Sequence, residues 1–188
     1  MTAVDIDAPI DDITARLAQD RTLRGLLRRN SGVRVPGAWD GWELCVRAVL
    51  GQQVSVKAAT TFAGRIAARY GEPSELEEMP DARLFPTPQQ LVRARLEKLG
   101  IIRARAQTIR DLARAAGGGS ISFDASQDVN EFCTALRSIR GIGEWTAQYV
   151  AMRALKDPDA FPASDLGLLR AFDGDAERLK PAELLARA

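Results

Sequence analysis

Histidine is absent from the 188 residues, which removes imidazole general bases and the commonest zinc ligand. Catalysis here must fall to carboxylates, amines or hydroxyls. Cysteine is nearly absent too, with only Cys45 and Cys133. Each occupies an apolar position of a helix-like pattern, which reads as two buried thiols rather than a disulfide or a metal site. An iron–sulfur cluster needs four clustered thiolates and is excluded. Long apolar runs are missing, and the opening MTAVDIDAPIDD is acidic without a basic leader. Neither a spanning helix nor a signal peptide is expected, and the chain reads as cytoplasmic with no membrane partner. An excess of one charge is missing as well. Formal net charge is +1, so no whole-molecule field attracts nucleic acid. Lysine occurs only at positions 57, 98, 156 and 180, and arginine supplies the rest of the 26 cations.

What remains is helical periodicity. Ile10, Ile13 and Leu17, then Leu23, Leu26 and Leu27, predict one or two short N-terminal helices, and the Gly- and Pro-containing stretch 30–38 predicts a linker. Asp40 and Glu43 form a capping-box pattern ahead of a helix through Trp42, Cys45, Val46 and Val49 that ends at Gly51. A second helix begins near Ser55 and stops at Gly71. Thr87, Pro88 and Gln90 fit N-cap, N1 and N3 of a short helix. Leu96 and Leu99 lead to a stop at Gly100, and Ile109, Leu112, Ala113 and Ala116 mark a run closing at Gly117–Gly119. Val129, Phe132, Cys133 and Leu136 repeat the same period. No segment alternates apolar and polar residues over strand length, so the fold is expected to be all-α.

The segment LRSIRGIGEWTAQYVAMRAL, 136–155, carries chemistry. One helix should end near Ser138 and another start near Glu144, joined by a turn with glycines at 141 and 143. Glycine permits positive φ and lets a phosphate reach the backbone, while the following helix offers unpaired N–H groups at its positive end. Such a turn can hold a nucleic-acid phosphate without a large basic patch. Downstream, AFPASDLGLLRAF, 160–172, places Asp165 twenty-two residues past Gly143, ahead of an apolar run that also suits an N-cap.

Together the hairpin and the downstream aspartate resemble the helix-hairpin-helix DNA glycosylase superfamily. The stretch RVPGAWDGWELCVRAVLGQQVSVKAATTFAGRIAARYG, 34–71, with FPTP at 85–88 and LGIIRARAQTIRDLA at 99–113, is similar to its 3-methyladenine DNA glycosylase II, or AlkA-type, members. The resemblance implies a two-lobed helical fold without the N-terminal α/β lobe of AlkA-type enzymes. It divides the chain into an N-terminal segment and linker at 1–38, a helical core at 39–162 with the hairpin at 129–155, and a catalytic-aspartate helix with a C-terminal, truncated-looking segment at 163–188. It also implies a monofunctional glycosylase that releases alkylated, 3-methyladenine-like bases flipped from double-stranded DNA in the first step of base excision repair. The expected protein is a monomer in the bacterial cytoplasm, working at the nucleoid.

The same resemblance assigns roles. Asp165 is the catalytic carboxylate, Trp145 and Tyr149 line the base pocket, and Gly141, Gly143 and Thr146 bind DNA phosphate. Gln53 takes the wedge position, where leucine is usual. Arg140 stands where many members carry proline. Relatives that also cut the strand carry lysine at the position of Trp145, so no lyase step is expected. No cofactor is implied beyond a structural Na+ or K+ on the main-chain carbonyls of Arg137, Ile139 and Gly141. Two other readings stay open. One is a non-catalytic helix-hairpin-helix DNA-binding module, or an inactive fragment of a larger repair protein, in which Asp165 only caps a helix. The other is a structural helical domain without nucleic acid.

Overall fold

The computed structural model describes residues 8–75, 81–124, 126–172 and 180–187. It divides into two compact units, one ending at Trp39 and the other beginning at Asp40. In the first, α1 (Ile10–Leu17) and α2 (Arg21–Arg29) are short, and Asp20 caps α2 by accepting from Thr22 N at 2.7 Å and Leu23 N at 3.0 Å. Neither helix has a buried residue. Helices of this length are marginal unless packed, and the unit leaves Val33, Val35 and Trp39 exposed, the last at 79%.

The second unit is built around α3 (Gly41–Gly51), which packs against α4 (Val56–Tyr70), α6 (Arg103–Gly117) and α8 (Glu144–Val150). Trp42, Leu44, Cys45, Val46, Ala48, Val49 and Leu50 are all buried. A helix apolar on nearly every side belongs in the centre of a core. Its start is fixed by Asp40, which accepts from Glu43 N at 3.0 Å, and by the Trp42 indole, which donates to Pro86 O at 2.8 Å. Ser55 caps α4 and Asp128 caps α7 (Val129–Ser138), each accepting from the backbone three residues on. Between them lie α5 (Pro88–Leu91), where Gln90 accepts from Thr87 N at 2.7 Å, and a 3-10 turn at Leu96–Leu99 closed by Gly100 in the left-handed region. The remaining helices are α9 (Leu166–Phe172) and α10 (Pro181–Arg187).

The all-α architecture forms as expected. Among the described residues there is no β-strand, only isolated pairing such as Pro73 with Arg83, and no α/β lobe. No described helix is long and apolar enough to cross a membrane. The periodicity of 144–155 is not one uniform helix, however. Its last five residues, Ala151–Leu155, form a π turn that ends at Lys156 with φ +58°. The wider turn buries Ala151, Ala154 and Leu155.

Candidate active site and nucleic-acid interface

The turn between α7 and α8 is clamped from inside. Leu136, Ile139 and Ile142 are buried, and Ile142 N donates to Ile139 O at 3.0 Å. Gly141 has φ +96°, and a Cβ there would lie 2.3 Å from Thr108 Oγ1 on α6. Thr108 is 5% exposed and donates to Arg140 O at 2.9 Å, so α6 approaches the turn too closely for any side chain at 141. The expectation that both glycines serve a positive φ is corrected here. Gly143 has φ −99° and ψ 180°, which any residue adopts, and a Cβ on it would meet nothing within 4 Å. Neither backbone strain nor internal packing requires glycine at 143. Glycine suits its place as N-cap of α8, and the bare backbone leaves room for an outside group to approach.

Facing this turn is the connection from α3 to α4. Gln52 donates from Nε2 to Gly141 O at 3.0 Å and to Thr146 Oγ1 at 3.1 Å, and its own carbonyl accepts from Arg105. One side chain thus ties this loop to the hairpin. Gln53, next to it, is exposed with φ +56°. A non-glycine residue held there is strained, and such strain concentrates at functional sites.

Asp165 and Trp145 complete the arrangement. Asp165 Oδ1 accepts from Gly167 N at 2.8 Å and Leu168 N at 3.2 Å, capping α9, while Oδ2 accepts from Trp145 Nε1 at 2.8 Å. The carboxylate is half-buried and lines a cleft of about 620 Å³ with Gln52, Gln53, Gly141, Gly143 and Trp145. The cleft therefore gathers the expected catalytic acid, both hairpin glycines and the wedge candidate. Tyr149 lies outside that lining. It stacks on Trp145 with ring centroids 5.1 Å apart and planes 13° from parallel, and the Arg153 guanidinium covers it at 5.4 Å.

Two expectations change in detail. Thr146 is 1% exposed with its hydroxyl engaged by Gln52, so its side chain cannot reach a phosphate. Of the carbonyls expected to hold a cation, Gly141 O already accepts from Gln52 and Ile139 O from Ile142 N. Each carbonyl has a second lone pair, so a Na+ or K+ fits only by sharing these atoms. Among the described residues no group of three or more Cys, Asp or Glu gathers as a metal site. The thiols take no part in the cleft, and burial pushes Cys45 up to about 12.

Gln52, Thr108 and Arg105 were not anticipated, although a threonine beside Ile109, on the apolar side of α6, was a signal that its hydroxyl has an internal partner. Ile102 and Leu166 were missed as well. They line the cleft while 62% and 59% exposed.

Residues 46–175 match the family profile described as HhH-GPD superfamily base excision DNA repair protein. The chain belongs to that superfamily. Residues 2–40 match a second profile, the AlkA N-terminal domain, so a stretch of that domain's sequence is present, and the helices among its described residues are α1 and α2. Among HhH-GPD relatives, the probable bifunctional transcriptional activator/DNA repair enzyme AlkA of Mycobacterium tuberculosis is 42% identical over 165 residues, covering 88% of this chain and 33% of that protein. DNA-3-methyladenine glycosylase 2 of Escherichia coli is 38% identical over 161 residues, covering 80% and 56%. Of solved structures, the 3-methyladenine DNA-glycosylase from Archaeoglobus fulgidus superimposes with a TM-score of 0.77 at 26% identity, covering 95% of this chain and 63% of that one. The chain thus spans between one third and just over half of these two curated relatives.

Proposed function

We propose that this HhH-GPD protein is a monofunctional DNA glycosylase that removes alkylated, 3-methyladenine-like bases from double-stranded DNA by hydrolysis. The observation that carries the reading is the Asp165 carboxylate in the cleft beside the bare backbone of Gly143, held there by the Trp145 indole and the start of α9. The name of the E. coli relative supports the substrate class, and that of the M. tuberculosis relative supports a role in DNA repair. The hairpin backbone binds a phosphate next to the damaged nucleotide, Gln53 enters the stack, and the flipped base leaves the duplex.

The Asp165 carboxylate then stabilises positive charge on the deoxyribose as the C1′–N bond lengthens. Water adds to C1′, its proton is released, and the bonding electrons depart with the base. An alkylated base is already cationic, so it needs no strong general acid, which suits a chain without histidine. The ring of Trp145, which lines the cleft, favours such a cation by about 0.5–2 kcal/mol. No lysine lines the cleft among the described residues, and Trp145 occupies the expected lyase position, so strand cleavage is not part of the reaction. No cofactor enters it. A Na+ or K+ on the carbonyls of Arg137, Ile139 and Gly141 would add positive charge beside the phosphate. The protein is taken to act as a monomer in the bacterial cytoplasm.

The test is release of free base from alkylated duplex. Wild type should release it, and Asp165→Asn should lose about a hundredfold to a thousandfold in rate while still binding DNA. The two cap hydrogen bonds on Oδ1 favour the alternative of a non-catalytic DNA-binding module, in which Asp165 is only a cap. Equal release by wild type and Asp165→Asn would remove the catalytic role, and DNA binding without release by either would establish the module.

A further inference from the structure

At the far end of α4 from the cleft lies a second concavity that the mechanism does not use. It measures about 270 Å³ and is lined by Arg69, Tyr70, Arg93, Arg95, Lys98 and Leu99. Four of these six residues are cations, all exposed, and among the described residues no carboxylate joins them. None of the four forms an ion pair among the described residues. The nearest acid in sequence, Glu97, is turned away and pairs with Arg110 of α6 at 2.9 Å.

The groove is also built. Tyr70 Oη accepts from Arg95 N at 2.9 Å, joining its two rims, and the Arg69 guanidinium lies 5.6 Å from the Tyr70 ring centroid. Arg65, one turn earlier on α4, fixes a rim by donating to Leu99 O at 2.9 Å. Four cations with no ion pair among the described residues repel one another around one concavity unless an anion is shared among them. In a chain of net charge +1, this local excess is not part of a general basic surface.

We propose that this groove is a second phosphate-binding site that takes DNA backbone outside the cleft. This rests on the reading of the chain as a DNA-binding repair protein. Val56 and Tyr70, the ends of α4, are fourteen residues apart, a rise of roughly 21 Å, or about six base pairs of duplex. A duplex centred on the cleft and running along α4 reaches the groove only if it extends at least that far. The other source of the same chemistry is a second duplex.

The experiment compares wild type with Arg93→Gln/Arg95→Gln/Lys98→Gln for binding to undamaged duplexes of about 9 and about 25 base pairs across a salt series. Each lost phosphate contact should lower the slope of log K against log salt by about 0.9, so the triple variant should fall by up to about 2.7. A fall confined to the long duplex assigns the groove to the strand already held in the cleft. Loss of a second bound short duplex assigns it to another DNA. Slopes and stoichiometries equal to wild type on both lengths overturn the proposal. If wild type binds no duplex at all, the DNA reading falls with it; if wild type binds and only the variant comparison is flat, this site alone falls. Arg93→Gln by itself, at an exposed position, keeps the test available should the triple variant fold poorly, with an expected fall of about 0.9.

Discussion

The hairpin glycines lend themselves to a paired perturbation, because the structure gives them opposite reasons to be glycine. In Gly141→Ala the new Cβ would sit 2.3 Å from Thr108 Oγ1 at φ +96°. The left-handed backbone costs about 1–2 kcal/mol, overpacking about 1–3, and disruption of the hydrogen bond from Thr108 to Arg140 O about 1. The variant should lose about 3 kcal/mol or more. In Gly143→Ala the backbone is ordinary and the space empty. Reduced freedom of the unfolded chain adds roughly 0.4–1 kcal/mol, offset by alanine being a poorer N-cap than glycine for α8. Stability should hold within about 0.5 kcal/mol, a melting shift of at most about 2 °C.

If a phosphate oxygen bonds the N–H groups exposed at Gly143, the methyl takes its place. Loss of a hydrogen bond to a charged group, about 1.5–3 kcal/mol, means duplex affinity weakened about ten- to a hundredfold. Thermal melts and fluorescence anisotropy with labelled duplex measure the two quantities separately. Gly143→Ala that binds DNA as tightly as wild type would refute the approach of a phosphate to this backbone.

Further outcomes follow from the connections around the cleft. Gln52→Ala removes two hydrogen bonds and leaves the nearly buried Thr146 hydroxyl without its donor, which should destabilise by about 1–3 kcal/mol and weaken DNA binding, read by chemical denaturation and anisotropy. Cys45, with its thiol raised from 9.0 to about 12 by burial, should resist alkylating reagents in the native protein at pH 8 while reacting promptly in denaturant. Its raised value is a stabilising contribution fully present below pH 9 and lost as pH climbs towards 12, so Cys45→Ala should flatten the alkaline limb of a stability–pH curve.

Local rules made the helices legible. Asp40 and Ser55 announce starts, and Gly51, Gly71 and Gly100 mark stops, because capping and chain reversal are settled within a few residues. The hairpin and Asp165 were equally readable as positions. Their partners were not. Gln52 reaches Gly141 across 89 positions and Thr108 reaches Arg140 across 32, and periodicity carries no information about such distances. The difference between Gly141 and Gly143 was hidden for the same reason, since the neighbour that crowds one of them comes from another helix. Thr146 looked available because it follows the turn, but its place in the first turn of α8 aims the hydroxyl at Gln52. The groove at the end of α4 draws cations from Arg69 and from 93–98, segments that only folding brings together.

The three indoles occupy contrasting surroundings. Trp42 is sealed in the core at 6% exposure, Trp39 is bathed in solvent at 79%, and Trp145 stands in the cleft between a carboxylate and a tyrosine ring. A ligand entering the cleft must alter the emission of the third and leave the core indole unchanged. The molecule thereby carries its own optical probe of occupancy, readable without any attached label.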